Sequence, residues 1–139
     1  MVHALREAWR VLKPHGSLLD LRPLTDFSPV QVTGGEGVWA AGQLEALPAS
    51  FADDAASADA LDEAGRRGWF TQERAGTFHI LYQWSTLESM KAYIAERWEG
   101  FLVLPDDVFA EVQRRWAAAA PPRHVRVRVT MHIARWRSE

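Results

Sequence analysis

The 139-residue chain contains no cysteine, which removes disulfides, thiolate metal ligands and cysteine nucleophiles together. Nothing in it requires an oxidising compartment. No stretch approaches the ~20 consecutive apolar residues of a membrane span. The first helix carries Arg6, Glu7 and Arg10 where a secretory leader would be apolar. The expectation is a cytoplasmic protein without a membrane partner. A large charge of one sign is missing too: the formal net charge is −2 and the pI about 6.2, so there is no general attraction for nucleic acid. At 47% hydrophobic composition, a chain of this length fits one domain burying roughly two-thirds of its unfolded surface.

Leu5, Ala8, Trp9 and Leu12 recur at the i, i+3, i+4, i+7 spacing of one helical face. Lys13 suits the negative end of that helix, and Pro14 stops it. Gly16 is expected to supply the positive φ of a tight reversal. Ser17 to Leu21 then read as a short, mostly buried strand around Asp20. Val30–Val32 and Val38–Ala40 flank Thr33-Gly34-Gly35-Glu36-Gly37 as a hairpin. Those glycines lack the following Lys-Ser/Thr and the helix start of a phosphate loop.

Residues 50–67 read as a helix capped by Ser50, with Phe51, Ala55, Ala58, Leu61 and Gly65 on its inner face. Trp69–Glu73 and Thr77–Trp84 read as two strands separated by Arg74-Ala75-Gly76, the second with an aromatic face and a central place in the sheet. Ser85-Thr86-Leu87-Glu88 has the form of a capping box for a third helix. Pro105 opens a fourth, which faces inward through Val108, Phe109, Val112 and Trp116. In residues 123–136, Val125, Val127, Val129, Met131 and Ile133 alternate with His124, Arg126, Arg128, Thr130 and His132, the clearest strand pattern of the chain.

The stretch LREAWRVLKPHGSLLDLRP resembles the segment of class I S-adenosylmethionine-dependent methyltransferases in which a helix ending in R-V-L-K-P-G-G leads into the fifth strand of the sheet. His15 replaces the first of those glycines. The close match covers about 20 residues, and the rest follows by element order alone. In that family a helix and the sixth strand come next, and a seventh strand inserts antiparallel between the fifth and sixth. Periodicity by itself supports an α+β fold, a small mixed or antiparallel sheet packed with helices. The resemblance implies that this sheet is the last third of a Rossmann-like methyltransferase fold, so that 1–139 is one C-terminal methyltransferase-like domain with a hairpin inserted at 30–40. The family holds its cofactor upstream of the matching segment, which here starts next to Met1. The resemblance therefore implies no cofactor in the isolated chain and no methyl transfer by the chain alone. S-adenosylmethionine would enter only where a partner supplies the missing half, and no catalytic or cofactor-binding residue is carried over.

A strand parted from its neighbour exposes unpaired amides and carbonyls. The chain's own hairpin or a second copy is the expected cover, a homodimer being favoured, with Trp39 and Trp136 as the best interface tryptophans. A separate cofactor-binding chain is the alternative, making this a subunit of a split methyltransferase; a small-molecule-binding module is the third reading. Strand ends of an open α/β sheet collect ligands, which brings Arg22, Thr25, Asp26, Tyr82, Trp84, His124 and Arg126 forward as a substrate cleft for an anionic or aromatic molecule. An Arg-Asp pair and two solvated cations explain the same residues without a ligand. His79, on an apolar strand, reads as a satisfied core histidine. His124 and His132 are eight residues apart on one strand, about 27 Å at ~3.4 Å per residue, so no metal site is expected. Glu45 to Glu63 holds six acids and no base, and Arg123 to Arg137 five arginines and no acid. The two runs are expected to face each other, within one chain or across a dimer, which leaves no reason to invoke nucleic acid.

Overall fold

The computed structural model describes residues 1–24 and 27–139. Its elements run α1 (Val2–Val11), β1 (Ser17–Leu24), β2 (Ser28–Gly34), β3 (Gly37–Ala46), α2 (Pro48–Arg66), β4 (Phe70–Trp84), α3 (Leu87–Arg97), β5 (Leu102–Val103), α4 (Asp106–Ala118) and β6 (Arg123–Ser138). The class is α+β, and the strands are antiparallel in the hydrogen-bonded order β1-β6-β2-β3-β5, with β4 also on β6. The chain packs as two compact units, 1–24 with 52–78 and 131–139, and 25–51 with 79–130. Both β4 and β6 run through the two.

In the first unit, Arg135 of β6 reaches Ser17 of β1 and Glu73 of β4, each at 3.1 Å, so β1 and β4 flank β6. Leu61 and Ala64 of α2 pack with Phe70, Ala134 and Trp136, and Leu5, Ala8, Trp9 and Leu12 of α1 join that cluster. The helices thus cover one face of the three strands. The inner ridge of α2 is Ala60, Leu61 and Ala64, whereas Phe51 is half exposed. Trp136, expected at an interface, is a core residue. The α1–β1 turn is pinned by the end of β6: the Ser138 hydroxyl donates to the Lys13 carbonyl at 2.9 Å, and the His15 amide donates to the Ser138 carbonyl at 3.1 Å. The positive φ of this turn falls on His15 (63°), not on Gly16.

β1 departs from the mostly buried strand expected. None of its residues is buried, and exposed and half-buried positions alternate along it. It lies at the edge of the strand order, where only one side of it faces β6. β4 departs as well, being one 15-residue strand through Arg74-Ala75-Gly76 and pairing with β6 alone rather than lying centrally. β6 itself is the shared centre. A 16-residue neighbour supplies enough ladder bonds to carry the chain through residues of poor strand propensity.

In the second unit, β2 and β3 form the expected hairpin, closed at the Gly34–Gly37 pair with Gly35 at φ 54°. Val30 and Val32 pair with Val127 and Val125, and all four are fully buried. A Cβ on Gly34 would stand 2.8 Å from that of Ala119, and one on Gly42 2.8 Å from Val108 Cγ2, so α4 lies close over the valine face. Lys91 of α3 sits 4.6 Å from the centre of the Phe109 ring of α4, which puts α3 in the same layer. Thr86, not Ser85, caps α3, accepting from the Ser89 amide at 3.1 Å. Ser50 does not cap α2: the helix starts at Pro48, and the Ser50 hydroxyl donates to the Phe101 carbonyl at 2.6 Å.

The buried positions of β6 are odd-numbered through Val129 and even-numbered from Ala134. The covered side chains thus pass from the odd to the even set along the strand, and Ile133, expected inside, is exposed.

Candidate functional site

The residues singled out from the sequence fall into separate places. Thr25 and Asp26 lie outside the described residues. Arg22 belongs to the first unit, where Asp20 Oδ2 accepts from its Nε at 3.3 Å and the Asp54 carbonyl from its Nη1 at 2.9 Å. His132 Nε2 stands 3.3 Å from the same Asp20 oxygen. The three side chains are 13–22% exposed. Alternation sends Asp20 and Arg22 of the edge strand toward α2, and His132 belongs to the even-numbered set of β6 that is buried from Ala134 on.

Asp20 and His132 are far apart in sequence, so no local spacing brings them together. The cluster is a satisfied charge network, with its one carboxylate shared between two nitrogen groups. Among the described residues, no three His, Cys, Asp or Glu side chains gather as a metal site would need. Asp20→Asn is expected to lower the unfolding free energy by about 1–3 kcal/mol, because Arg22 and His132 would remain covered and lose their acceptor charge. A urea denaturation midpoint measures it.

Tyr82 and Trp84, at the end of β4, meet Tyr93 and Trp98 of the α3 region. All six ring pairs touch, with centroids 5.1–6.4 Å apart. Met90, Tyr93, Ile94 and Trp98 share one side of α3 by their helical spacing, which brings the last two rings onto the strand. Rings this close leave no slot for a ligand between them, since a cation or base must itself stand within about 6 Å of each face it uses. The tetrad is a packed cluster with a solvent-facing rim.

His124 and Arg126 occupy the other side of the sheet. Gln31 pairs with Arg126 and Thr33 with His124; the Gln31 side-chain oxygen accepts from Arg126 Nε at 2.8 Å. The structure therefore brings Tyr82 to Trp84 and His124 to Arg126, but puts the two pairs on opposite faces. His79 is exposed rather than a core residue, and its Nδ1 lies 3.3 Å from Thr130 Oγ1. The expected pairing of the acidic and basic runs gives way to nearer partners. Glu63 binds Arg66 and Arg67 within α2, and the hydrogen bond from Arg67, with the adjacent charge of Arg66, holds its carboxyl below the usual range. Arg135 and Arg137 bind Glu73.

Several grooves among the described residues have a volume of about 300 Å³. One of them, in the second unit, is walled by Ile94, Leu102, Leu104 and Phe109, with Lys91 and Glu99 also in its lining. That is the low end of small-molecule pockets, and its walls are mostly apolar.

Family models, curated proteins and solved structures all give no match to this chain.

Proposed function

We propose that the chain is a non-catalytic, methyltransferase-like domain that works by self-association, a second copy pairing along β1. One observation carries the reading: in the first unit β6 runs antiparallel between β1 and β4, with α1 and α2 on one face. That is the arrangement of the fifth, seventh and sixth strands in the family the α1–β1 segment resembles. The turn adds support, because His15, which stands where that segment has a glycine, is, among the described residues, the non-glycine residue with positive φ. The β2–β3 hairpin and the α3–β5–α4 segment then read as insertions.

The residues present do not build the cofactor cradle of such enzymes. Gly34, Gly35 and Gly37 turn one strand into the next and precede no helix, so they offer no helix N-terminus to a ligand. A self-associating role uses what the first unit leaves open. Leu19 and Leu21 are 63% and 57% exposed on one side of the edge strand, beside Ile133. Asp20 and Arg22 are neutralised on the other side and bring no unpaired charge to the edge. Pro23 limits pairing to Ser17–Arg22, and an antiparallel strand repeated about a two-fold axis would bring four leucines together.

Sedimentation equilibrium is expected to show a dimer, and Leu21→Lys to weaken it at least about tenfold by placing a charge in that stripe. Calorimetric titration with S-adenosylmethionine is expected to give no binding. Binding by the isolated chain, or a monomer at every concentration, would overturn the reading; the latter passes the β1 edge to a separate cofactor-binding chain.

A further inference from the structure

We propose that the arginine face of the second unit is a binding site for an oligophosphate group, lying along β6 between His124 and Thr130. The proposal stands apart from the role assigned to β1.

The face is built by strand alternation. With Val125, Val127 and Val129 turned into the core, residues His124, Arg126, Arg128 and Thr130 point the other way. The register of β2 sets Thr33 beside His124 and Gln31 beside Arg126, and β4 brings His79 to Thr130. Helices α3 and α4 lie on the valine side, so the arginine side is outside the helix layer. Val38, next to Thr33 in the β2–β3 register, is exposed.

The arginines of this face differ from the others in the chain. Arg22, Arg66, Arg67, Arg114, Arg115, Arg135 and Arg137 each bind a carboxylate, and Arg123 bonds the Trp116 carbonyl over its ring. Among the described residues, Arg6, Arg74 and Arg97 have no side-chain hydrogen bond or ion pair, but they are exposed to water. Arg128 is half-buried and, among the described residues, has neither a hydrogen bond nor an ion pair. Arg126 is half-buried too and, among the described residues, its side chain has only the amide of Gln31, a neutral acceptor bound at Nε and not at the terminal nitrogens. A covered guanidinium without a counter-charge is costly, and an anion removes the cost.

The chemistry points to phosphate. Same-face neighbours on a strand are about 7 Å apart, a spacing that lets two guanidinium forks bracket consecutive phosphoryl groups, each by a bidentate bond. His124 with Thr33 at one end and Thr130 with His79 at the other add polar groups without adding an acid. No ring of the aromatic tetrad lies on this face, so recognition rests on the phosphates and not on a stacked base.

The test is titration calorimetry of the full chain at low salt with tripolyphosphate, ATP and adenosine. Tripolyphosphate is expected to bind, and the double variant Arg126→Gln/Arg128→Gln to lose at least about tenfold in affinity. The control Arg6→Gln/Arg97→Gln, with the same change of charge, keeps it. Equal affinities for tripolyphosphate and ATP assign the site to free oligophosphate; tighter ATP with the same arginine dependence assigns it to a nucleotide; adenosine alone does not bind. Thermal unfolding of the double variant near the wild-type midpoint shows that its fold is intact. Absence of binding, an unaffected double variant, or an equal loss in the control overturns the proposal. So does a double variant that loses self-association instead, since the face would then serve acids of a second copy.

Discussion

Phe70→Ala is expected to lower the unfolding free energy by about 3–5 kcal/mol, the cost of deleting a fully buried aromatic ring. For a chain of this length that corresponds to a fall of roughly 10–17 °C in the thermal midpoint, read by circular dichroism. Phe70 is 1% exposed and is bounded by Leu61, Ala64, Ala134 and Trp136. Two of these neighbours are alanines, whose methyl groups cannot move in to fill the void, so the cavity penalty adds to the lost transfer energy. Phe51→Ala is the internal contrast. Its ring is 50% exposed, and the same substitution is expected to cost no more than about 0.5–1 kcal/mol. Similar losses at the two positions would mean that the packing described for the first unit is wrong.

Gly42→Ala is expected to cost about 2–4 kcal/mol from two separable causes. Gly42 pairs with Val30 where the β2–β3 register slips, so that Ala41 has no partner, and the chain there takes φ 128°. That region is open essentially to glycine alone. A Cβ would also stand 2.8 Å from Val108 Cγ2 of α4, nearer than carbon atoms pack. Trimming Val108 to alanine removes the clash and leaves the dihedral strain. In the cycle of Gly42→Ala, Val108→Ala and the double variant, the coupling is the steric part, expected at about 1 kcal/mol or more. A cycle with no coupling would place α4 farther from β3 than described; a Gly42→Ala variant as stable as the wild type would remove both causes.

The elements most legible in the sequence were those with strong periodicity or caps. The α1 face, the glycine hairpin, the opening of α4 at Pro105 and the first half of β6 are all read from residues within a turn or two of one another. Boundaries slipped where two caps compete, as Ser85 and Thr86 do. The two-residue strand β5 carried no signal at all. Arg74-Ala75-Gly76 read as a break because propensity is local, and the break disappeared because β6 offers β4 a continuous ladder.

The candidate site residues were less legible than the fold. Tyr82 and Trp84 were sound as a pair and so were His124 and Arg126, because each pair shares one strand face. Whether both pairs share a cleft depends on which face the helices cover. His132 reads as the open side of β6, because the alternation of valines, methionine and isoleucine does not announce that burial passes from the odd to the even positions. Arg128 is visible in the sequence as a charge, but that it has no counter-ion among the described residues depends on where distant acids are placed.

Taken alone, the amino-acid order determined the class of the chain, its helices, its hairpin and the two-sided character of β6, since all of these follow from spacings of two and 3.6 residues along one backbone. The tertiary structure alone decided that β1 is an edge, that β6 is the shared centre, that Asp20 meets His132 and that, among the described residues, Arg126 and Arg128 meet no acid. Those outcomes depend on which distant segments come together, and side-chain periodicity carries no information about the identity of a neighbour.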